Sequence, residues 1–210
     1  MLVGIGHPRC GTGFTAALLR SCGLQVEHEK IGRDGIVSWM ALSGRESVPW
    51  GHAIGPLAED FRLFCIARSP LAAMGSILPE NNNRRSIGWR ATVIWEKLGV
   101  DIFSHSEVPQ TGLGFALASF AYWYRIALDL HPEIIFRVDH EEDDTSLASF
   151  LGQPVQRSSG IELNSRPHIR RNDWHISELA SFPRPLLYTA IDVAEALGYP
   201  EDARVISAQI

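Results

Sequence analysis

Short apolar runs alternate with segments of helical periodicity along this chain. The run Leu2-Val3-Gly4-Ile5 ends in a turn rich in glycine and proline, and residues 15–22 then carry apolar side chains at helical spacing. This pattern predicts a strand, a turn and a helix that is closed by Gly23, which suits the left-handed position after a helix. The unit recurs, because the apolar strand 61–67 is followed by Pro70, which favours the first position of a new helix.

The rest of the chain continues the alternation. Further elements are predicted as a short strand at 24–26, a helix at 90–98 inside the polar stretch 79–114, a helix at 115–130, a strand at 134–138 and a short helix before Gly152 capped by Asp144-Thr145. Alternating strands and helices favour a parallel sheet with crossover connections. We therefore predict an α/β fold of three layers, with a central, mostly parallel sheet flanked by helices.

Composition narrows the class of protein. The chain has 210 residues, of which 45% are hydrophobic, which is enough for one sizeable core, so we expect a single domain over 1–210. The formal net charge is −5, and this balance argues against a nucleic-acid partner, which needs a basic face.

The cysteines and the apolar runs bear on the compartment. Cys10, Cys22 and Cys65 form no CxxC pair, so neither a disulfide framework nor a zinc site is indicated. We find no secretion signal and no run of about 18 apolar residues, and so expect no membrane span. A cytoplasmic location is the resulting expectation.

The turn after the first strand carries the clearest candidate chemistry. Gly6-His7-Pro8-Arg9-Cys10-Gly11-Thr12-Gly13 lies between a strand and a helix, where backbone N–H groups and the positive helix end can hold an anion. The spacing from Gly6 to Gly11 matches a Walker A loop, but Thr12-Gly13 replaces its lysine and hydroxyl residue. The strand 61–67 is followed by Arg68 rather than a magnesium-binding aspartate, so two parts of an ATP- or GTP-hydrolysing site are missing.

The same turn resembles the 5′-phosphosulfate loop, Gly-x-Pro-Lys/Arg-Ser-Gly-Thr-Thr/Ser, of sulfotransferases that use 3′-phosphoadenosine 5′-phosphosulfate (PAPS). Arg68-Ser69-Pro70, with Ser76 eight positions after the arginine, resembles the family's 3′-phosphate motif, and 164–168 resembles its late nucleotide loop. The chain departs from these patterns at Cys10, Gly13 and Ser69. The resemblance implies a P-loop-like fold, PAPS as co-substrate without a metal, and a nucleotide site made by Arg9, Cys10, Gly11, Thr12, Gly13, Arg68, Ser76, Arg166 and His168.

Sulfuryl transfer requires a neutralised leaving phosphate and a base for the acceptor hydroxyl. Arg9 suits the electrostatic role. Glu27-His28-Glu29 follows the second predicted strand, and the resemblance favours Glu29 as the base, with His28 as its competitor because imidazole exchanges protons near neutral pH. His52 is a further candidate.

The acceptor is expected to be a hydroxyl of a small molecule or a saccharide, and Asp34, Trp39 and Trp50 are candidates to line its pocket, although each fits ordinary packing as well. Residues 122–124 are expected in the core and 139–144 in a solvated acidic loop. Two alternatives fit the same residues. One is a nucleotide or small-molecule kinase with a degenerate phosphate loop, and the other is a non-catalytic nucleotide-binding protein of the same fold.

Overall fold

The structure, a computed structural model, describes residues 1–49, 53–157 and 174–210. These residues belong to two compact units. The first contains Met1–Arg68 and the described part of Leu130–Arg166, and the second contains Ser69–Asp129 and the described part of Pro167–Ile210. The single-domain organisation expected from chain length stays a prediction.

The first unit holds a five-stranded parallel sheet in the order β2-β3-β1-β4-β5. Its strands are β1 (Leu2–Gly6), β2 (Val26–His28), β3 (Gly35–Val37), β4 (Arg62–Ala67) and β5 (Ile134–Arg137). The central strands β1 and β4 are buried along most of their length, as the continuous apolar runs require of strands covered on both faces. The predicted α/β fold, with a central parallel sheet and flanking helices, is confirmed.

Two strands differ from the sequence prediction. The second strand begins at Val26 rather than at Leu24, because the N–H of Leu24 donates to the carbonyl of Leu19, 3.2 Å away, and so still belongs to the end of the preceding helix. The strand β3 was not predicted, since it contains only Gly35-Ile36-Val37. A Cβ atom at Gly35 would lie 2.1 Å from the carbonyl oxygen of Leu2, so glycine is what allows β3 to pair closely with β1.

Two helices, α1 (Thr12–Ser21) and α5 (Asp143–Leu151), belong to the same unit as the sheet. Gly23 has a φ of 87°, which confirms it as the left-handed residue after α1. The core of this unit includes Leu18, Phe64, Phe136 and Phe150. Burial of such side chains is the main favourable term for folding.

The prediction of a solvated acidic loop at 139–144 is wrong for its last two residues, Asp143 and Asp144. Asp143 is 8% exposed and accepts hydrogen bonds from the backbone and guanidinium of Arg137, and Asp144 pairs with Arg157 at 2.8 Å. Helix α5 therefore begins at Asp143, and neither Asp144 nor Thr145 is its N-cap, which is Glu142. Burial raises the pKa of Asp143, but the hydrogen bonds and charge of Arg137 outweigh it and hold that pKa below its usual value.

The second unit is helical in its described part. It contains α2 (Pro70–Glu80), α3 (Arg84–Leu98), α4 (Gly112–Asp129), α6 (Arg184–Ala196) and α7 (Pro200–Ser207), and α4 packs against α2, α3 and α6. Pro70 begins α2 as predicted. Helix α3 begins six residues before the predicted position 90, because the side chain of Asn83 accepts a hydrogen bond from the N–H of Ser86 and caps the helix.

The prediction that Tyr122, Trp123 and Tyr124 lie in the core is confirmed, since they are 6%, 0% and 0% exposed within α4. No helix in the described part of the chain is both long and apolar enough to cross a membrane.

Candidate functional site

The strand order reverses direction at β1 and β4. From β1 the chain first builds β2 and β3 on one side, and it then places β4 on the other side of β1. In open parallel sheets, ligands bind at the carboxyl ends of the two strands that flank such a reversal. The turn 7–11 follows β1 at this edge, and Arg68 follows β4 at the same edge.

The turn after β1 presents unpaired backbone donors. The N–H groups of Gly11, Thr12 and Gly13 find no acceptor among the described residues, as expected for the first turn of a helix without a side-chain cap. Donors of this kind, at the positive end of a helix, can hold an anion. The N–H of Cys10 instead donates to the carbonyl of His7 at 3.1 Å, and the Cys10 side chain is 0% exposed. The Cys10 side chain is therefore packed inside the protein, and its contribution to nucleotide binding stays a prediction.

Two residues of the turn adopt left-handed backbone conformations. Arg9 has a φ of 72° and Gly11 a φ of 98°. A Cβ atom at Gly11 would lie 2.7 Å from Cγ1 of Val138, the residue that follows β5, so glycine is required here by space as well as by φ. The shape of the turn is thus set by packing inside the protein. The left-handed Arg9 is uncommon for a residue with a side chain and is typical of functional turns.

Thr12 links the turn to the base candidates. Its side chain is buried, and its Oγ1 lies 3.2 Å from Nε2 of His28. The same His28 nitrogen lies 3.7 Å from Oε1 of Glu29. Among the described residues, His28 is the one hydrogen-bond partner of the Thr12 hydroxyl, which keeps further capacity toward a ligand in the turn.

The structure separates the three residues predicted to follow the second strand. Glu27 and His28 belong to β2, and only Glu29 follows it. Glu27 lies 3.5 Å from the guanidinium of Arg20, in an ion pair of partly exposed side chains. Glu29 has a φ of 63°, donates its N–H to the carbonyl of Val37 at 3.0 Å, and accepts a hydrogen bond from the indole N–H of Trp39 at 2.9 Å. His28 and Glu29 therefore share one edge of the sheet with the turn.

Of the residues predicted to line an acceptor pocket, Asp34 lies elsewhere. Asp34 directly precedes β3 and so lies at the amino end of that strand. Because β3 and β1 are parallel, the turn after β1 lies at the opposite, carboxyl end of β3. Its carboxylate accepts from the backbone of Gln25 and pairs with Arg33. Hydrogen bonding from Arg33 lowers the pKa of Asp34. A role for Asp34 in an acceptor pocket beside the turn is therefore wrong.

The predicted 3′-phosphate residues are distributed over both units. Arg68 is partly exposed and has no hydrogen bond or ion pair with any described residue. Ser76 is 9% exposed within α2 of the second unit. Their joint action on one phosphate stays a prediction.

Ser69, between these two residues in sequence, caps α2. Its hydroxyl accepts from the N–H of Ala72 at 3.1 Å and donates to the carboxylate of Asp202 at 2.6 Å. The same Asp202 oxygen accepts from the N–H of Leu71 at 3.0 Å. Asp202, on α7, was missed by sequence reasoning, because it lies 133 residues from Ser69 and nothing in the local pattern indicates the contact.

Four candidate residues lie outside the described part of the chain, namely Trp50, His52, Arg166 and His168. Their predicted roles stay predictions. No group of three or more histidine, cysteine or acidic side chains placed to hold a metal ion occurs within the ranges that the structure describes.

Comparison with models of protein families, with curated proteins and with solved structures finds no match to this chain.

Proposed function

We propose that this protein is a sulfotransferase that moves a sulfuryl group from PAPS to a hydroxyl of a small molecule or a saccharide. The observation that carries the proposal is the contact between Thr12 and His28, at 3.2 Å. Through it, a turn with unpaired N–H groups and two candidate proton acceptors, His28 and Glu29, adjoin one another at the ligand-binding edge of the sheet. Anion binding beside proton removal is the combination that sulfuryl transfer needs.

Each group has a defined role in this proposal. The N–H groups of Gly11, Thr12 and Gly13 hold the 5′-phosphosulfate, and the charge of Arg9 offsets the negative charge that grows on the leaving phosphate. Arg68 is assigned to the 3′-phosphate, and Ser76, Arg166 and His168 keep the nucleotide-binding roles that the resemblance implies. Arg68 suits its role because it is partly exposed and has no ion-pair partner among the described residues.

The reaction itself exchanges one S–O bond for another. The acceptor oxygen forms a bond to sulfur, the bond between sulfur and the phosphate oxygen breaks, and adenosine 3′,5′-bisphosphate (PAP) leaves. The acceptor's proton passes to Glu29 or His28, whose facing atoms Oε1 and Nε2 lie 3.7 Å apart. The residues assigned here require no metal ion.

Calorimetry with PAP tests the nucleotide part of this proposal. We expect PAP to bind in the presence of EDTA, because amides and arginines supply the positive charge. No binding of PAP, or binding of ATP with magnesium in preference to PAP, would overturn the proposal, and the second result would favour the kinase alternative.

Turnover tests the catalytic part. Labelled PAPS is incubated with the protein and with phenols, alcohols and sugars, and with water alone, and the release of PAP is measured. Release of PAP that depends on both the protein and an added hydroxyl compound, above the release with water alone, supports transfer. Binding of PAP without release from PAPS under any of these conditions would identify the non-catalytic alternative.

A cytoplasmic location is part of the proposal. All three cysteines, Cys10, Cys22 and Cys65, are free thiols. Free thiols suit a reducing compartment.

A further inference from the structure

Trp39 is a buried aromatic residue whose polar atom points to Glu29. It is 7% exposed, and its indole N–H donates to Oε1 of Glu29 at 2.9 Å. A buried indole N–H needs a hydrogen-bond acceptor. The sequence predicted Trp39 only as a residue that lines the pocket of the hydroxyl substrate or packs in the core. The hydrogen bond instead ties the indole to one of the two candidate bases.

The backbone around Trp39 is firmly held. One residue, Ser38, separates Trp39 from the end of β3. The N–H of Ser38 donates to the carbonyl of Gly4 at 2.9 Å. The Ser38 hydroxyl accepts from the N–H of Met40 at 3.1 Å, at the start of the 3-10 helix Met40–Ser43. The indole is therefore presented from a fixed backbone at the carboxyl end of β3.

Glu29 is held in an uncommon conformation. A left-handed φ of 63° is unfavourable for a residue with a side chain and persists where the surroundings enforce it. Its N–H donates to the carbonyl of Val37, two residues before Trp39, at 3.0 Å. The end of β3 thus fixes Glu29 twice, once through the backbone of Val37 and once through the side chain of Trp39.

We propose that Trp39 is a positioning residue for the reaction, which holds one carboxylate oxygen of Glu29 so that Glu29 receives the acceptor's proton. Nε2 of the competing His28 already lies 3.2 Å from the Thr12 hydroxyl, in the first turn of α1. This assignment rests on the proposed sulfotransferase function. It adds two points to that function: Glu29 rather than His28 is the base, and Trp39 acts by holding Glu29 in place.

The contact can be tested without substrate. The chain has six tryptophans, so the indole region of a ¹⁵N-labelled spectrum has few cross-peaks, and that of Trp39 is identified by its loss in Trp39→Phe. We expect Glu29→Gln to shift this cross-peak, because an amide oxygen accepts more weakly than a carboxylate. Glu27→Gln is the matched control, since Glu27 pairs with Arg20 instead, and should leave it in place. A Trp39 cross-peak that does not respond to Glu29→Gln would overturn the proposal.

The role in turnover is tested with Trp39→Phe, which keeps an aromatic ring and removes the N–H. We expect the affinity for PAP to stay within about twofold and the release of PAP from PAPS to fall about 10- to 100-fold, because the carboxylate is no longer held in place. Trp39→His, which supplies a ring N–H again, should recover part of the rate. Trp95→Phe, at a residue that is 60% exposed on α3, is the control for tryptophan removal as such.

The outcomes separate the two proposals. Absence of PAP binding by the unaltered protein overturns the sulfotransferase function, whereas the indole cross-peak still reports on the Trp39 contact. Full turnover in Trp39→Phe, or equal losses of affinity and rate, overturns the positioning role alone. If Trp39→Phe fails to fold, the decision is made with the Glu29→Gln spectrum, in which the Trp39 cross-peak is identified by its loss in Trp39→His, and an unshifted cross-peak again overturns the positioning role.

Discussion

Oγ1 of Thr12 lies 3.2 Å from Nε2 of His28, so the first turn of α1 contacts the last residue of β2. The two residues are 16 positions apart in sequence. Because Glu29 follows directly, this contact places the turn proposed to bind the phosphosulfate and both candidate bases in one region of the first unit.

Changing the bases separately should identify the one that acts. Glu29→Gln keeps the size of the side chain and loses its capacity to accept a proton, so we expect PAP affinity within a few-fold and turnover lowered by about 100- to 10,000-fold. His28→Ala is made beside it and should have the smaller effect. Release of PAP from PAPS and calorimetry are the two measurements. A variant pair in which only His28→Ala loses turnover would assign the base to histidine.

Arg68→Ala should weaken the binding of PAP far more than that of adenosine 5′-phosphate. A charge-assisted contact to the 3′-phosphate is worth about 1.5–3 kcal/mol, and only PAP carries that phosphate. Arg33→Ala serves as the control, because Arg33 lies before the amino end of β3 and pairs with Asp34. Equal losses for the two nucleotides would show that Arg68 does not recognise the 3′-phosphate.

Gly11→Ala should destabilise the first unit more than Gly23→Ala does. Both glycines have a positive φ, at 98° and 87°, so both substitutions introduce backbone strain of about 1 kcal/mol or more. At Gly23 a Cβ atom meets nothing within 4 Å, whereas at Gly11 it meets Val138 at 2.7 Å. Urea unfolding measures the difference. In the background Val138→Ala the extra loss at Gly11 should shrink, and an unchanged loss would argue against the clash.

Asp202→Ala should lower the free energy of unfolding by about 0.5–2 kcal/mol, as expected for the loss of a helix cap. Its carboxylate accepts from the Ser69 hydroxyl and the Leu71 N–H at the start of α2. Glu201→Ala is the neighbouring control, because its one partner among the described residues is Arg204, in an exposed ion pair. This substitution should change stability by less than about 0.5 kcal/mol. Thermal unfolding of both variants decides between a cap and an incidental contact.

Asp143 should contribute to the acid sensitivity of the first unit. Its pKa in the folded protein is lowered, since the bonds and charge of Arg137 outweigh the opposing effect of burial. The unfolded chain therefore binds more protons in acid, so this contribution is present above the ordinary aspartate pKa of about 3.9 and is lost as the pH falls below it. Denaturant unfolding at several pH values should show that the free energy of unfolding falls less on acidification in Asp143→Asn than in the unaltered protein. An unaltered pH dependence in this variant would contradict the assignment.

Local patterns determined much of this protein. The mainly apolar runs at 2–5 and 61–67 predicted the two central strands, because strands buried on both faces of a parallel sheet show little alternation of polar and apolar residues. The run at 134–138 predicted the edge strand β5, which is only partly buried. The glycine-rich turn, Gly23 and Pro70 marked the ends and starts of helices through their backbone preferences. These signals depend only on residues that are close in sequence, so they can be recognised from the sequence alone.

Only the tertiary structure decided which distant groups meet. The three residues of β3 are too few to show a period, and the strand exists because its backbone pairs with β1 and β2. Asp143 looked like one of several solvated acids until Arg137 was placed beside it. The contacts of Thr12 with His28, Trp39 with Glu29 and Asp202 with Ser69 were likewise absent from every local pattern. The positions of the motifs after their strands predict that they share one edge of the sheet. Which side chains form hydrogen bonds there depends on the tertiary arrangement of the strands and helices.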